Sequence, residues 1–142
     1  MLLSDAIRAG CAFSGQTFTI LVDKDGNTCA LGAALKGAGY VGLIEKDVRQ
    51  PAYDYLSSTF PYLHNEAAPR LTCDCRMYGE SLKAKIWHMN DYHKVSREDV
   101  ADFVESFEIA NGYKAAAVKP DVAEVVDKAT EVAQEVEPVA VS

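Results

Sequence analysis

Residues 71–93 read LTCDCRMYGESLKAKIWHMNDYH and contain two cysteines followed by two histidines. Twelve residues separate Cys75 from His88 and four separate His88 from His93, which are spacings typical of a zinc site with two cysteines and two histidines. In such sites a turn supplies the sulfurs and a helix supplies the nitrogens. We therefore predict one structural Zn²⁺ here. Its predicted ligands are Cys73, Cys75, His88 and His93.

The spacing requires two particular backbone conformations, one at the cysteines and one between the histidines. Only Asp74 separates the two cysteines, whereas the usual pair has two to four intervening residues, so both sulfurs must reach the ion from a tight turn. Residues five apart on an ideal helix point about 140° from each other, so the helix must loosen near Asn90 and Asp91 before both histidines can share the ion. The alternative is four unrelated residues, with two core thiols, one histidine on a helix face and one on the surface. Four protein ligands leave no open position, which favours a structural over a catalytic ion.

The composition indicates a folded chain and limits its partners. Of the 142 residues, 49% are hydrophobic and 25% are charged, as in globular proteins. The net charge of −7 argues against coating nucleic acid through bulk electrostatics. No apolar run is long enough to cross a bilayer, so we expect a cytoplasmic protein with no membrane partner. No nucleophile–base pair, phosphate loop or small-molecule site is evident, so we predict a protein without enzymatic activity.

Basic residues concentrate around the predicted zinc module, where six of them accompany three acidic residues between positions 70 and 97. One hypothesis is a zinc-finger regulator that binds nucleic acid through these cations. They are Arg70, Arg76, Lys83, Lys85, Lys94 and Arg97. The other hypothesis, which we weigh about equally, is that zinc stabilises a platform for a protein partner and that the cations only solvate two helices.

The remaining patterns predict an α+β fold, mostly helical with a short N-terminal β-hairpin. Residues 3–13 are expected to form a helix capped by Ser4. Residues 17–22, TFTILV, have the β-branched and aromatic content of a strand, and DKDGN at 23–27 is expected to be the hairpin turn. Further helices are predicted to begin near Cys29, Pro51, Ser81 and Ser96. The result would be a small domain closed by a zinc-stapled turn-helix-helix module.

Two cysteines and one histidine lie outside the predicted zinc site. Cys11 and Cys29 are interpreted as buried core thiols. Cys29 begins a helix, where a thiol pKa can fall, but no histidine close in sequence supports a nucleophile. His64 is expected to be exposed to solvent and is a reserve metal ligand. Gly32 and Ala33, in the helix that follows Cys29, are small enough to let another backbone approach.

Four stretches carry a resemblance to a protein family. IWHMNDYH at 86–93 and SREDVADFV at 96–104 resemble small uncharacterised bacterial and phage proteins. Those proteins have a Cys-x-x-Cys pair, a His-Leu-Asn-Asp-x-His signature and an Arg-Glu-x-Ile-Ala-Asp-Trp helix. SDAIRAG at 4–10 and CALGAA at 29–34 are similar to their N-terminal portions, so the resemblance covers most of the chain before the tail.

Three features depart from the family's pattern, namely the Cys-x-Cys pair, Met89 in place of leucine and Phe103 in place of tryptophan. The first changes the ligand pair itself, while the other two keep apolar character. The resemblance implies a phage or prophage accessory protein, whose partner would be a host factor or a virion component. It implies no particular activity.

We divide the chain into three parts. Residues 1–70 are expected to form the helix, hairpin and helix part of the core, and residues 71–112 the zinc-finger-like module with its following amphipathic helix. Residues 113–142 are expected to be an acidic, flexible tail, because from residue 115 onward six acidic residues accompany two lysines and no aromatic residue occurs.

Overall fold

The structure is a computed structural model and describes residues 1–44, 49–65, 68–75 and 78–115. A 3₁₀ turn at Pro61–His64 follows the third α-helix, and a π-helical turn at His88–Tyr92 continues the fourth. Most of the predicted tail lies outside the described residues. The α-helices are α1 (Leu3–Cys11), α2 (Ala30–Gly37), α3 (Gln50–Thr59), α4 (Leu82–Trp87) and α5 (Arg97–Ala110).

Helices α1 and α2 pack backbone to backbone. A Cβ atom added at Gly10 would lie 1.8 Å from the carbonyl oxygen of Ala33, and one added at Gly37 would lie 1.9 Å from that of Ala6. Gly32 is equally enclosed, since its added Cβ would lie 2.0 Å from a carbonyl oxygen in the preceding loop. The prediction that small residues in α2 admit a neighbouring backbone is therefore confirmed.

Helix α5 covers the other side of α1 and brings a carboxylate into the core. Glu108 is fully buried and accepts hydrogen bonds from the backbone N–H of Ser4 at 3.2 Å and from the hydroxyls of Ser4 and Tyr62, both at 2.5 Å. Ser4 therefore lies inside α1 and does not cap it. The cap position is Leu2, so the predicted serine cap is wrong. The serine hydroxyl instead offsets the cost of burying a carboxyl group.

The predicted β-hairpin is wrong, and with it the α+β class, because the described residues form helices and no strand. Two isolated bridges remain, in which Gln16 and Val22 each pair with Thr28. Thr19, in the middle of the predicted strand, has a φ of 68°, which interrupts an extended run. The β-branched content of this segment indicated a strand, but among the described residues Thr28 is its one bridge partner.

The predicted hairpin turn is instead a self-contained loop. The Asp23 carboxylate accepts hydrogen bonds from the backbone N–H groups of Asp25 and Asn27, each at 2.9 Å. Gly26 has a φ of 83°, which suits glycine at the tip of such a loop. Because the aspartate satisfies these backbone donors, they do not form a hairpin ladder.

None of the described helices is long and apolar enough to span a lipid bilayer.

Candidate metal centre

The four predicted ligands converge on one point. Their donor atoms, two sulfurs and two ring nitrogens, all lie within 4.8 Å of one another. Cys73 Sγ is 3.5 Å from His88 Nε2, and Cys75 Sγ is 3.6 Å from His93 Nε2. An ion about 2.3 Å from sulfur and about 2.05 Å from nitrogen, at tetrahedral angles, would hold the two atoms about 3.6 Å apart. The cluster can therefore hold a metal ion.

A thiol–imidazole hydrogen bond would have a similar length, so neither Cys–His pair identifies a metal site by itself. The feature that indicates a metal site is that the two pairs lie together. Hydrogen bonding requires only that each pair meet, whereas a shared ion requires all four donors close together, and here all four lie within 4.8 Å of one another. The alternative of four unrelated residues does not describe this arrangement.

The π-helical turn brings the two histidines to the same side of the helix. The backbone N–H of His93 donates to the carbonyl oxygen of His88 at 3.2 Å, a bond between residues five apart that defines a π-helix. The two rings lie edge to face with their centroids 4.7 Å apart. The predicted loosening of the helix between the histidines is confirmed, and it occurs without breaking the helix.

Helix α4 fixes this turn to the core. Its N-cap Ser81 accepts a hydrogen bond through its hydroxyl from the backbone N–H of Ala84 at 3.1 Å. Leu82 and Ile86 are fully buried, and Met89 packs half-buried against the same core. Because these three residues face the core, His88 lies on the opposite side of the helix, toward the cysteine turn.

Asn90, inside the π-helical turn, is 1% exposed and uses its whole amide group. Its Oδ1 accepts from Gln16 Nε2 at 2.9 Å and from the backbone N–H of Ala30 at 3.1 Å. Its Nδ2 donates to the carbonyl oxygen of Thr17 at 3.1 Å and to Asp91 Oδ1 at 2.7 Å. The asparagine therefore connects the metal-binding turn to the 16–30 segment. Sequence reasoning placed Asn90 only where the helix must loosen, although its position between the two histidine ligands could have indicated this structural role.

Two tyrosines hold the ring of His88. Tyr78 stacks on it with centroids 4.7 Å apart and Tyr92 with centroids 5.1 Å apart, at interplanar angles of 27° and 10°. Neighbours of this kind fix the orientation of a metal-binding imidazole and limit its contact with water. Sequence reasoning missed both tyrosines, because aromatic residues near a ligand also occur as ordinary core residues.

The surroundings of the cluster favour the neutral forms of the His88 imidazole and the Cys75 thiol. Burial lowers the pKa of His88, and the adjacent His93 lowers this pKa further. Burial and a hydrogen bond with Cys73 raise the pKa of the Cys75 thiol. A neutral imidazole is the form that binds a metal, whereas a thiol must first lose its proton. Metal binding here is therefore expected to release protons from the cysteines.

The cysteine turn opens onto a polar cleft of about 510 Å³. Cys73, Cys75 and His88 are half-buried and His93 is exposed, so the cluster lies near the surface. Such a position gives an ion an entry path without unfolding the core. The cleft is lined by Arg70, Cys73, Asp74, Cys75, Tyr78, Gly79 and Glu80.

Two of the six cations predicted to bind nucleic acid are buried. Lys85 is 1% exposed, and its Nζ donates to the carbonyl oxygen of Ala68 at 2.8 Å. Arg97 is 6% exposed and donates to Thr28 Oγ1 at 2.8 Å and to the carbonyl oxygen of Ser14 at 2.7 Å. Both side chains therefore hold loops in place and do not face solvent.

The other four cations have different surroundings. Arg70 is exposed beside the metal cluster. Lys83 Nζ lies 4.7 Å from the centroids of two aromatic rings, and Lys94 Nζ donates to a backbone carbonyl and lies 4.3 Å from a phenylalanine ring. Arg76 lies outside the described residues.

The remaining cysteines and histidine take no part in the cluster. Cys29 is 4% exposed and caps α2, with its Sγ accepting from the backbone N–H of Gly32 at 3.4 Å. Burial raises the pKa of this thiol to about 11, which disfavours a nucleophile. Cys11 packs half-buried against the core. His64 is exposed and pairs with the Ser57 hydroxyl at 3.0 Å, so the reserve ligand is not used.

A scan against protein-family models and searches of curated proteins and of solved structures return no match to this chain. The resemblance to bacterial and phage proteins therefore stays a prediction. The fold and the site define a small helical protein with a candidate metal centre of two cysteines and two histidines.

Proposed function

We propose that this chain is a non-enzymatic binding module in which a structural Zn²⁺ supports a surface that recognises a protein partner. The observation that carries the proposal is the convergence of two sulfurs and two imidazole nitrogens within 4.8 Å, with two Cys–His separations of 3.5 and 3.6 Å that suit one tetrahedral ion. A mixed set of two thiolates and two imidazoles suits Zn²⁺ better than the harder cations Mg²⁺ and Ca²⁺. Four protein ligands fill the coordination sphere, which suits a structural ion.

Exposed apolar side chains support a protein partner. Phe13 is 69% exposed, Val41 98% and Leu43 66%. Phe13 and Val41 line one shallow depression of about 310 Å³ together with Tyr40. Apolar side chains grouped in this way are typical of protein-binding surfaces. The resemblance to phage proteins adds the expectation that the partner is a host factor or a virion component.

The metal is tested by elemental analysis of the purified full-length chain. We expect one zinc per chain, lost in Cys75→Ser and His88→Ala. Matched controls are Cys11→Ser and His64→Ala, which remove a thiol and an imidazole outside the cluster and should keep the zinc. Equal zinc content in all four variants, or no metal in the parent chain, would contradict the proposed site.

The partner is tested by crosslinking in extracts of a bacterial host, comparing the parent chain with Val41→Glu. We expect a specific crosslinked protein that is lost in this variant and kept in Ala110→Glu, a control with the same new charge at an exposed position of α5. Both variants should retain zinc. A salt-dependent gel shift of short DNA or RNA by the parent chain, with no protein captured, would replace the protein platform with a nucleic-acid-binding function.

A further inference from the structure

A second cleft, of about 250 Å³, lies on the inner side of the π-helical turn, and we call it the aromatic cleft. It is assembled from segments far apart in sequence, which explains why the sequence indicates no small-molecule site. The lining residues that matter here are Thr19, Cys29, Arg49, Tyr53, Trp87 and Asp91.

Two aromatic rings form a wall of this cleft. Tyr53 and Trp87 meet edge to face with centroids 6.0 Å apart. Lys83 Nζ lies 4.7 Å from both centroids and holds the two rings together as a cation–π pair. Trp87 nevertheless remains 37% exposed. The wall can therefore present an aromatic surface to a flat ligand.

Two charged groups at the cleft have unused bonding capacity. The guanidinium of Arg49 is exposed and makes no ion pair or hydrogen bond with other described residues. Asp91 uses Oδ1 to accept from the backbone N–H of Thr19 at 2.9 Å and from Asn90 Nδ2 at 2.7 Å. Within the described part of the chain its Oδ2 has no such donor. A cation and a carboxylate oxygen are thus available in the same cleft as the aromatic wall.

The backbone around Asp91 adopts two uncommon conformations. Thr19 has a φ of 68°, which is rare for a β-branched residue, and Asp91 lies in the π-helical turn. The hydrogen bond between Thr19 and Asp91 joins the two. Strained backbone of this kind persists where the surrounding structure enforces it, and such places are frequently functional. Here both irregularities meet at the cleft.

We propose that the aromatic cleft binds a nucleoside monophosphate. The base stacks on the ring wall, an exocyclic amino group or ring N–H of the base donates to Asp91 Oδ2, and the phosphate pairs with Arg49. The buried Cys29 thiol at the same cleft takes no chemical part, so the site binds its ligand without forming a bond to it. This inference concerns a second site and does not depend on which metal the first one holds.

The test is calorimetric titration of the metal-loaded full-length chain with the four common nucleoside monophosphates, the matching nucleosides and inorganic phosphate. Trp87 is the single tryptophan, so its fluorescence reports independently whether a ligand reaches the cleft. We expect at least one amino-bearing nucleotide to bind and to change this fluorescence. Arg49→Ala should weaken that nucleotide about tenfold or more while leaving the nucleoside unchanged. Tyr53→Leu should weaken both.

The matched control is Lys36→Ala, which removes an exposed cation at the far end of α2 and should leave all affinities unchanged. Three results would overturn the proposal. They are no binding of any nucleotide at millimolar concentration, equal affinity of nucleotide and inorganic phosphate, and nucleotide binding that Arg49→Ala does not alter. Zinc content, measured on the same samples, separates a failure of this site from a failure of the metal centre.

Discussion

The region built from α1, α2 and α5 and the region spanning residues 68–93 are held together by different means. The first has an apolar core of fully buried side chains and two helices in backbone contact. The second has one six-residue helix, with two half-buried thiols, one half-buried imidazole and one exposed imidazole where the first region has leucine and phenylalanine. Fully buried anchors of the second region's helix are Leu82, Lys85 and Ile86, each 1% exposed or less.

This contrast indicates which region of the chain depends on a bound ion for its stability. A helix of six residues is too short to persist without tertiary support, and none of the four ligand side chains beside it is fully buried. A structural zinc ion contributes on the order of 10 kcal/mol, which is ample for a segment of this size. The first region should therefore survive metal removal and the second should not.

The largest expected effect is metal removal. A strong chelator, or Cys75→Ser, should abolish the hydrogen-exchange protection of residues 82–92 because the ion joins the cysteine turn to this segment. Amide protection in α1 and α2 should persist, because apolar packing holds those helices. Equal loss of protection in both regions would contradict this expectation, because it would show that they unfold as one unit.

The next largest effect is expected in the first region, from Gly10→Ala. The added methyl group has no space beside the Ala33 carbonyl, so α1 and α2 must separate, at a cost of about 3 kcal/mol. Urea unfolding measures this free energy, with Ala110→Ser on exposed α5 surface as a control for adding one atom. Zinc content should not change. A stability equal to that of the parent would contradict the close packing.

Asn90→Ala tests the connection between the two regions. The substitution leaves the backbone N–H of Ala30 and carbonyl of Thr17 without their partner and should cost about 2 kcal/mol. Because Asn90 also holds the turn that bears both histidines, zinc affinity should fall about tenfold. Gln50→Ala, which removes an exposed amide, is the control. Lost stability with unchanged zinc affinity would mean that the regions are mechanically independent.

The smallest effect belongs to the surface ion pairs of the first region. Arg8 pairs with Glu105 at 2.6 Å and Lys114 pairs with the same carboxylate at 2.7 Å. These hydrogen bonds lower the pKa of Glu105, so the pairs stabilise the fold at neutral pH and stop doing so as the pH falls through the lowered pKa. Glu105→Gln should therefore reduce the melting temperature slightly at pH 7 and not at all in strong acid or high salt. A pH-independent difference would contradict this cause.

Local signals in the sequence predicted much of the second region. Ligand spacing anticipated the convergence of the four side chains, and the angular mismatch between His88 and His93 anticipated a loosened helix. The Ser96 cap of α5 was also readable, since its hydroxyl accepts from the backbone N–H of Asp99 at 3.1 Å. In each case the residues that determine the structure lie close to one another in the sequence.

The errors came from groups whose partners are distant in sequence. Ser4 has the chemistry of a helix cap, but its partner is Glu108 on the last described helix. Lys85 and Arg97 have the chemistry of surface cations, but their partners are backbone and hydroxyl oxygens in remote loops. The strand-like residues around Thr19 have no neighbouring strand in the part of the chain that the structure describes. Secondary-structure propensity and charge can be read from a single side chain. The role of each of these side chains depends instead on the distant residues that pack against it.

The π-helical turn has one more consequence. Two histidines four apart would already share an ion on a plain α-helix, so a chain shorter by one residue here could still bind metal. What it would lose is the rotation that directs Asn90 inward to Gln16 and Ala30 and places Asp91 against Thr19. The additional residue therefore rotates the side chains that follow it around the helix axis. One stretch of helix can then bind an ion on one side and contact a distant loop on the other.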